Sequence, residues 1–284
     1  MNTMANLPSF TRILLVTDFS ECSEAAVPFA RRMAERYAAS VVVAYIITGA
    51  GASAEGTARP AQDVVTAAGA EMQSFLGRNT LDEVRVETVI EHGPVAEVLA
   101  TVIQQKAIDL VVVGTHGRSG VGKLLLGSVA QRIFNVAPCP VLSVSPRARR
   151  ALGAEQKFAK ILYPSDFSEN SLKALPYALS LAKRDDSALL LLHAASEPFR
   201  PEVLQEYYRR LNALVPPEAR TWCRSDVLVS VGDPAQAIPQ AAWEQNADLI
   251  AISAHRAAGT FNVPLTTAYQ VVAHAPCPVL RVRC

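Results

Sequence analysis

Two stretches of this 284-residue chain carry residue types at a spacing suited to chemistry. One is Gly114-Thr115-His116-Gly117, followed after nine residues by Gly127-Ser128. Glycine lets a backbone approach an anion closely and take positive φ at little steric cost. The N–H groups of such a loop form a concave anion site. A helix beginning near Gly127 would add unpaired N–H donors and a favourable dipole. Ser128 offers a hydroxyl to a phosphate oxygen, or a cap to the helix. The same glycines would equally serve a loop that only turns tightly. The other stretch is Thr17-Asp18, residue types that commonly form a turn and cap before a helix.

A third pattern, inside the first, points elsewhere. Gly117-Arg118-Ser119-Gly120-Val121-Gly122-Lys123 has the spacing of a phosphate-binding P-loop, but Leu124 follows. That motif needs Ser or Thr there to ligate Mg²⁺, and it follows the first strand of its unit. A P-loop NTPase is therefore disfavoured, although Arg118 and Lys123 carry charge suited to a phosphate. The five histidines lack a metal-like pairing with cysteine or carboxylate, and His193 reads as an ordinary strand residue. The five cysteines suggest reduced thiols rather than a disulfide framework, with Cys139 and Cys277 as small buried residues between prolines. No nucleophile–base pair is visible.

The elements that must position these residues are legible because the chain repeats itself. Ile13-Leu14-Leu15-Val16-Thr17-Asp18-Phe19-Ser20 is echoed by Ile161-Leu162-Tyr163-Pro164-Ser165-Asp166-Phe167-Ser168. Ala137-Pro138-Cys139-Pro140-Val141-Leu142 returns identically from Ala275 to Leu280, and 93–109 aligns with 232–248 without a gap. Duplications of this extent mark repeated structural units. The halves meet near 145–157, giving expected domains at 8–147 and 158–284. In the first half, strands are expected at 12–17, 40–47, 84–90, 109–114 and 141–144, and helices at 22–38, 61–77, 95–105 and 126–136. Runs such as Val41-Val42-Val43 and Leu110-Val111-Val112-Val113 are apolar at every position, as parallel strands covered on both faces should be. Alternating strands and helices give an α/β fold: two tandem doubly wound, open parallel sheets. In such sheets ligands sit beyond the carboxyl ends of the strands, where the winding reverses.

Gly-x-x-Gly, nine residues, then Gly-Ser, with Thr-Asp after the first strand and Ala-Pro-Cys-Pro-Val-Leu at the end, resembles the universal stress protein family. The resemblance covers nearly the whole chain, twice. It implies five-stranded sheets in the order 3-2-1-4-5, like that of adenine nucleotide alpha hydrolases, and an intramolecular pseudo-dimer able to dimerise again. It also implies an ATP site in the first half. Thr17 and Asp18 would follow the first strand, with Asp18 accepting from the base or ribose. Ile46 would pack on the adenine face. Val113, Gly114, His116, Gly117, Gly127, Ser128 and Val129 would surround the ribose and phosphates. Val16 departs from the proline common in the family.

In the second half, Ser253-Ala254-His255-Arg256 replaces the first glycine motif and Leu265-Thr266 replaces Gly127-Ser128. Ala194 stands where Ile46 stood, while Asp166 persists. This half is expected to hold no triphosphate in the same way, each replacement being read as side-chain bulk where a phosphate needs bare backbone.

The net charge of +1 argues against a nucleic-acid track, and the cluster Arg147, Arg149 and Arg150 falls in the linker. Apolar runs are strand-length, too short to span a membrane. The first ten residues do not read as a signal peptide, so a cytoplasmic location is expected. The stretch 48–60, rich in small residues, is expected to be a loop over the site. The function expected is an ATP-binding stress-response or regulatory protein. Two alternatives stay open: a slow ATPase or phosphoryl-transfer enzyme using Mg²⁺ at the same site, and a ligand-free interaction protein.

Overall fold

A computed structural model describes residues 7–48, 62–115, 127–146, 148, 157–195, 200–254 and 267–283. The chain divides into two compact units: Phe10–Pro146, and Arg147–Cys284 together with Met1–Ser9. In the first, β1 (Arg12–Thr17), β2 (Ser40–Ile47), β3 (Val86–His92), β4 (Leu110–Gly114) and β5 (Val141–Val144) form a sheet ordered β3-β2-β1-β4-β5. Every pairing within it is parallel. Its helices are α1 (Glu21–Glu24), α2 (Val27–Tyr37), α3 (Gln62–Arg78), α4 (Val95–Gln105) and α5 (Ser128–Val136). Val41, Val42, Val43 and Leu110 to Val112 have essentially no exposed surface, which is why their runs have no polar alternation.

The second unit repeats this plan. Its strands β6 (Lys160–Pro164), β7 (Ala188–Ala195), β8 (Ser225–Val231), β9 (Leu249–Ala254) and β10 (Val279–Arg283) are parallel in the order β8-β7-β6-β9-β10. Helices α6 (Glu169–Leu172), α7 (Leu175–Asp185), α8 (Pro201–Leu214), α9 (Pro234–Glu244) and α10 (Thr267–His274) connect them. In each unit the chain steps outward in opposite directions from the first strand and the fourth, so the winding reverses between them.

Several boundaries differ from the sequence expectation, three of them for a clear local reason. The single helix expected over 22–38 is two, α1 and α2, because Pro28 has no N–H for the carbonyl of Glu24 and its ring crowds that carbonyl. Pro176 divides α6 from α7 in the same way. Strand β3 begins at 86 rather than 84, since Glu83 has φ of 68° and the Val84 N–H closes a turn onto the Leu81 carbonyl at 3.3 Å. Gly127 is the N-cap of α5 with extended ψ, so Ser128 is the first helical residue rather than the cap. Among the described residues, no helix is long and apolar enough to cross a membrane. The described cysteines are unbridged, and Cys139, Cys223 and Cys277 are buried. Burial pushes the Cys277 thiol far up from its ordinary value, leaving it inert.

Candidate functional site

The site is built first by the turn after β1. The Thr17 hydroxyl accepts the Phe19 N–H at 2.9 Å and lies 3.0 Å from the Ser23 hydroxyl. Those bonds hold Phe19 in the left-handed region, φ 61°, which a bulky residue adopts only when its surroundings require it. Asp18 Oδ1 accepts from the Ser20 N–H at 3.1 Å and the Ser20 hydroxyl at 2.5 Å. Ser20 in turn caps α1 by accepting from the Ser23 N–H. The side chain of Thr17, 4% exposed, thus holds the turn, and the Asp18 carboxylate is oriented by it. Phe19 rests against Tyr45 and Phe75, with ring centroids 4.4 and 5.6 Å away.

Beyond the carboxyl ends of β1, β2 and β4 lies a cleft of about 320 Å³. Of the residues singled out in sequence, Thr17, Asp18, Ile46, Val113, Gly114, Gly127, Ser128 and Val129 all line it. His116 and Gly117 lie outside the described residues, as do Arg118, Lys123, the stretch 49–61 and Arg147, Arg149 and Arg150. Sequence reasoning missed Ser23, Tyr45, Thr48, Val95 and Ala130 as lining residues and treated Val16 only as a family departure. Val95 was discoverable: it follows Gly93, whose φ of 129° turns the chain from β3 into α4, and the same turn recurs at Gly232 with φ of 134°. Within the cleft, Ile46, Val16 and Val113 supply apolar wall, while α5 points its first turn inward through Gly127 to Ala130. No side chain caps that turn. The Gly127 N–H is taken by the Thr115 carbonyl at 2.7 Å, so the donors α5 brings to the cleft are those of its first helical residues.

The two glycines of this cleft have different reasons to be glycine. A Cβ on Gly114 would stand 2.5 Å from the Cys22 carbonyl oxygen and 2.9 Å from its carbon. Gly114 is therefore bare because the α1 backbone presses on the end of β4. The fold thus gives its own reason for glycine here, beside the expectation that bulk at this position would meet a phosphate. Gly127, at φ −58° and ψ 148°, has a backbone that any residue adopts, so its lack of a side chain is not dictated by conformation.

The second unit makes the same turn with a different wall. The Ser165 hydroxyl accepts the Phe167 N–H at 3.0 Å and pairs with Ser171 at 3.0 Å, holding Phe167 at φ 64°. Asp166 Oδ1 accepts from the Ser168 N–H at 2.9 Å and hydroxyl at 2.6 Å. Partial burial works against the Asp166 charge, but the Ser168 bonds outweigh it and hold the carboxyl below its usual range. His193, in the place of Tyr45, donates through Nδ1 to the Ser165 carbonyl at 2.9 Å and packs against Phe167 and Tyr207. Beyond these strands lies a cavity of about 310 Å³, lined in part by Ala194, Ser253 and Ala254. His255, Arg256, Leu265 and Thr266 lie outside the described residues. Among the described residues, no group of three or more His, Cys, Asp or Glu is placed to hold a metal.

A model of the universal stress protein family matches residues 9–145 and again 157–283. The chain belongs to this family. A universal stress protein of Methanocaldococcus jannaschii, MJ0531, is 30% identical over 139 residues, covering 48% of this chain and 82% of that protein. A universal stress protein from Archaeoglobus fulgidus superposes with a TM-score of 0.68 at 19% identity, covering 96% of this chain and 98% of that one. A putative universal stress protein from Pseudomonas aeruginosa gives 0.63 at 17% identity, over 96% and 93% of the two chains. These last two likenesses establish shared fold. Both universal stress protein units are thus preserved in architecture, and they diverge where their strands end.

Proposed function

We propose that the first unit binds ATP in the cleft beyond β1, β2 and β4, and that the chain acts as a nucleotide-dependent stress-response or regulatory protein. The observation that carries this reading is the α5 N-terminus, uncapped by any side chain, opening into a cleft walled in part by Val16, Ile46 and Val113. A helix N-terminus favours an anion through its free N–H groups and dipole. Ser128 and the amides of Val129 and Ala130 would hold phosphate oxygens. Ile46, Val16 and Val113 would cover the base, and Asp18, oriented by Ser20, would accept from an amine or hydroxyl of the nucleoside. His116 and Gly117 belong to the same proposed phosphate loop by sequence. Mg²⁺, where it accompanies the nucleotide, would be held by phosphate oxygens. Isothermal titration of the full chain with ATP tests the reading. One site per chain is expected, and either no binding or two equivalent sites would overturn it.

A further inference from the structure

The second cavity matches the first in volume but has a different lining. Leu192 and Ile238 border it, whereas their counterparts Ala44 and Leu99 do not border the first cleft. At the position where Ile46 lines the first cleft the second has Ala194, a smaller side chain. Ile252 and Ala268 continue the apolar wall. Among the described lining residues there is one carboxylate, Asp166, whose bonds to Ser168 both run to Oδ1. In sequence, Leu265-Thr266 replaces the Gly127-Ser128 pair at the helix start.

We propose that the second unit binds a small phosphate-free amine with an apolar body, its N–H group on the Asp166 carboxylate and its body against Leu192, Ala194, Ile238 and Ile252. A cavity of about 310 Å³ that joins an apolar wall to a polar side bearing Ser165, Asp166, Asn170 and Ser253 has the dimensions of a small-molecule site. Asp166, the one anion among the described lining residues, selects for a cation or N–H donor and against an acid of the same shape. The assignment does not depend on ATP binding by the first unit.

Tryptamine and indole-3-acetate share an indole body and carry opposite charge, so they serve as matched probes. Methyl NMR of the full chain, with the Ile238 and Ile252 signals assigned by substitution, reads the second cavity directly. Tryptamine is expected to shift both signals with a dissociation constant of about 1 mM or tighter, as its size allows. Indole-3-acetate and ATP are expected to leave them in place. Asp166→Asn should weaken tryptamine about tenfold through loss of a charge-assisted bond. Ala194→Ile should abolish the shifts while the remaining methyl spectrum shows the fold intact. Equal binding of indole-3-acetate, shifts by ATP at these methyls, full tryptamine binding in both variants, or no response to tryptamine at about ten times that concentration would each overturn the assignment.

Discussion

The turn after β1 and the turn after β6 match atom for atom in their plan, yet the walls that β2 and β7 add beside them do not. Both turns use a buried hydroxyl, Thr17 or Ser165, to catch the N–H of a phenylalanine in left-handed geometry. Both set an aspartate Oδ1 on a following serine. One strand then ends in Tyr45-Ile46 and the other in His193-Ala194. The turn is a folding device, because it satisfies backbone groups that neither unit can leave unpaired. The wall is free to vary once the turn is secure. Duplication has kept the part each unit needs to fold and changed the lining of the cleft beside it.

The sharpest way to break this comparison is to move one unit's residue into the other. Gly127→Leu places the second unit's residue in the first, at a backbone conformation that leucine accepts. The fold should persist while ATP affinity falls about a hundredfold or more, as the α5 donors are blocked. Titration calorimetry checks this, and undiminished binding would mean the phosphate site is misplaced. Gly114→Ser makes an analogous swap with a different outcome. The new Cβ meets the Cys22 carbonyl, so the variant should lose about 1–3 kcal/mol of stability, seen as a lower denaturation midpoint. Retention of full stability would show that α1 can withdraw from β4 freely.

A smaller effect tests the common turn. Thr17→Val and Ser165→Ala each remove the hydroxyl that accepts a buried N–H, and each should cost about 1–2 kcal/mol by urea denaturation. Similar losses would show that the turn does the same work in both units; a loss in only one would divide them further. The smallest effect is acid sensitivity at Asp166. Its carboxyl titrates lower in the folded chain, so its contribution is present above the ordinary Asp range and lost as pH falls through the folded value. The stability gap between the native chain and Asp166→Asn should therefore narrow between pH 6 and pH 3, on the order of the Asp range. A gap that widened toward low pH would refute the sign.

Much of the fold could be read from residues because the repeat supplied the first and last strands twice and unbroken apolar runs identified the parallel centre. The bounds of β1, β2 and β5 followed from that pattern. Pro28 was visible too, but its consequence depends on which carbonyl lies one turn earlier, and only the helix register fixes that. For the cleft, motif spacing led to residues that do share one wall. Tyr45, Ser23 and Thr48 escaped notice because strand pleat and turn geometry, not spacing, bring them there. The lining of the second cavity was equally hidden. An alanine in a strand gives no sign that Leu192 and Ile238 border a cavity with it.

The contact between Gly114 and the Cys22 backbone has one more consequence. Closely packed groups have no slack, so a small displacement on one side must be taken up on the other. Gly114 lines the cleft, and Cys22, which does not, lies directly against it. A ligand pressing on Gly114 would therefore be felt by the α1 backbone. Amide exchange at Cys22 is expected to gauge occupancy of the cleft from outside it.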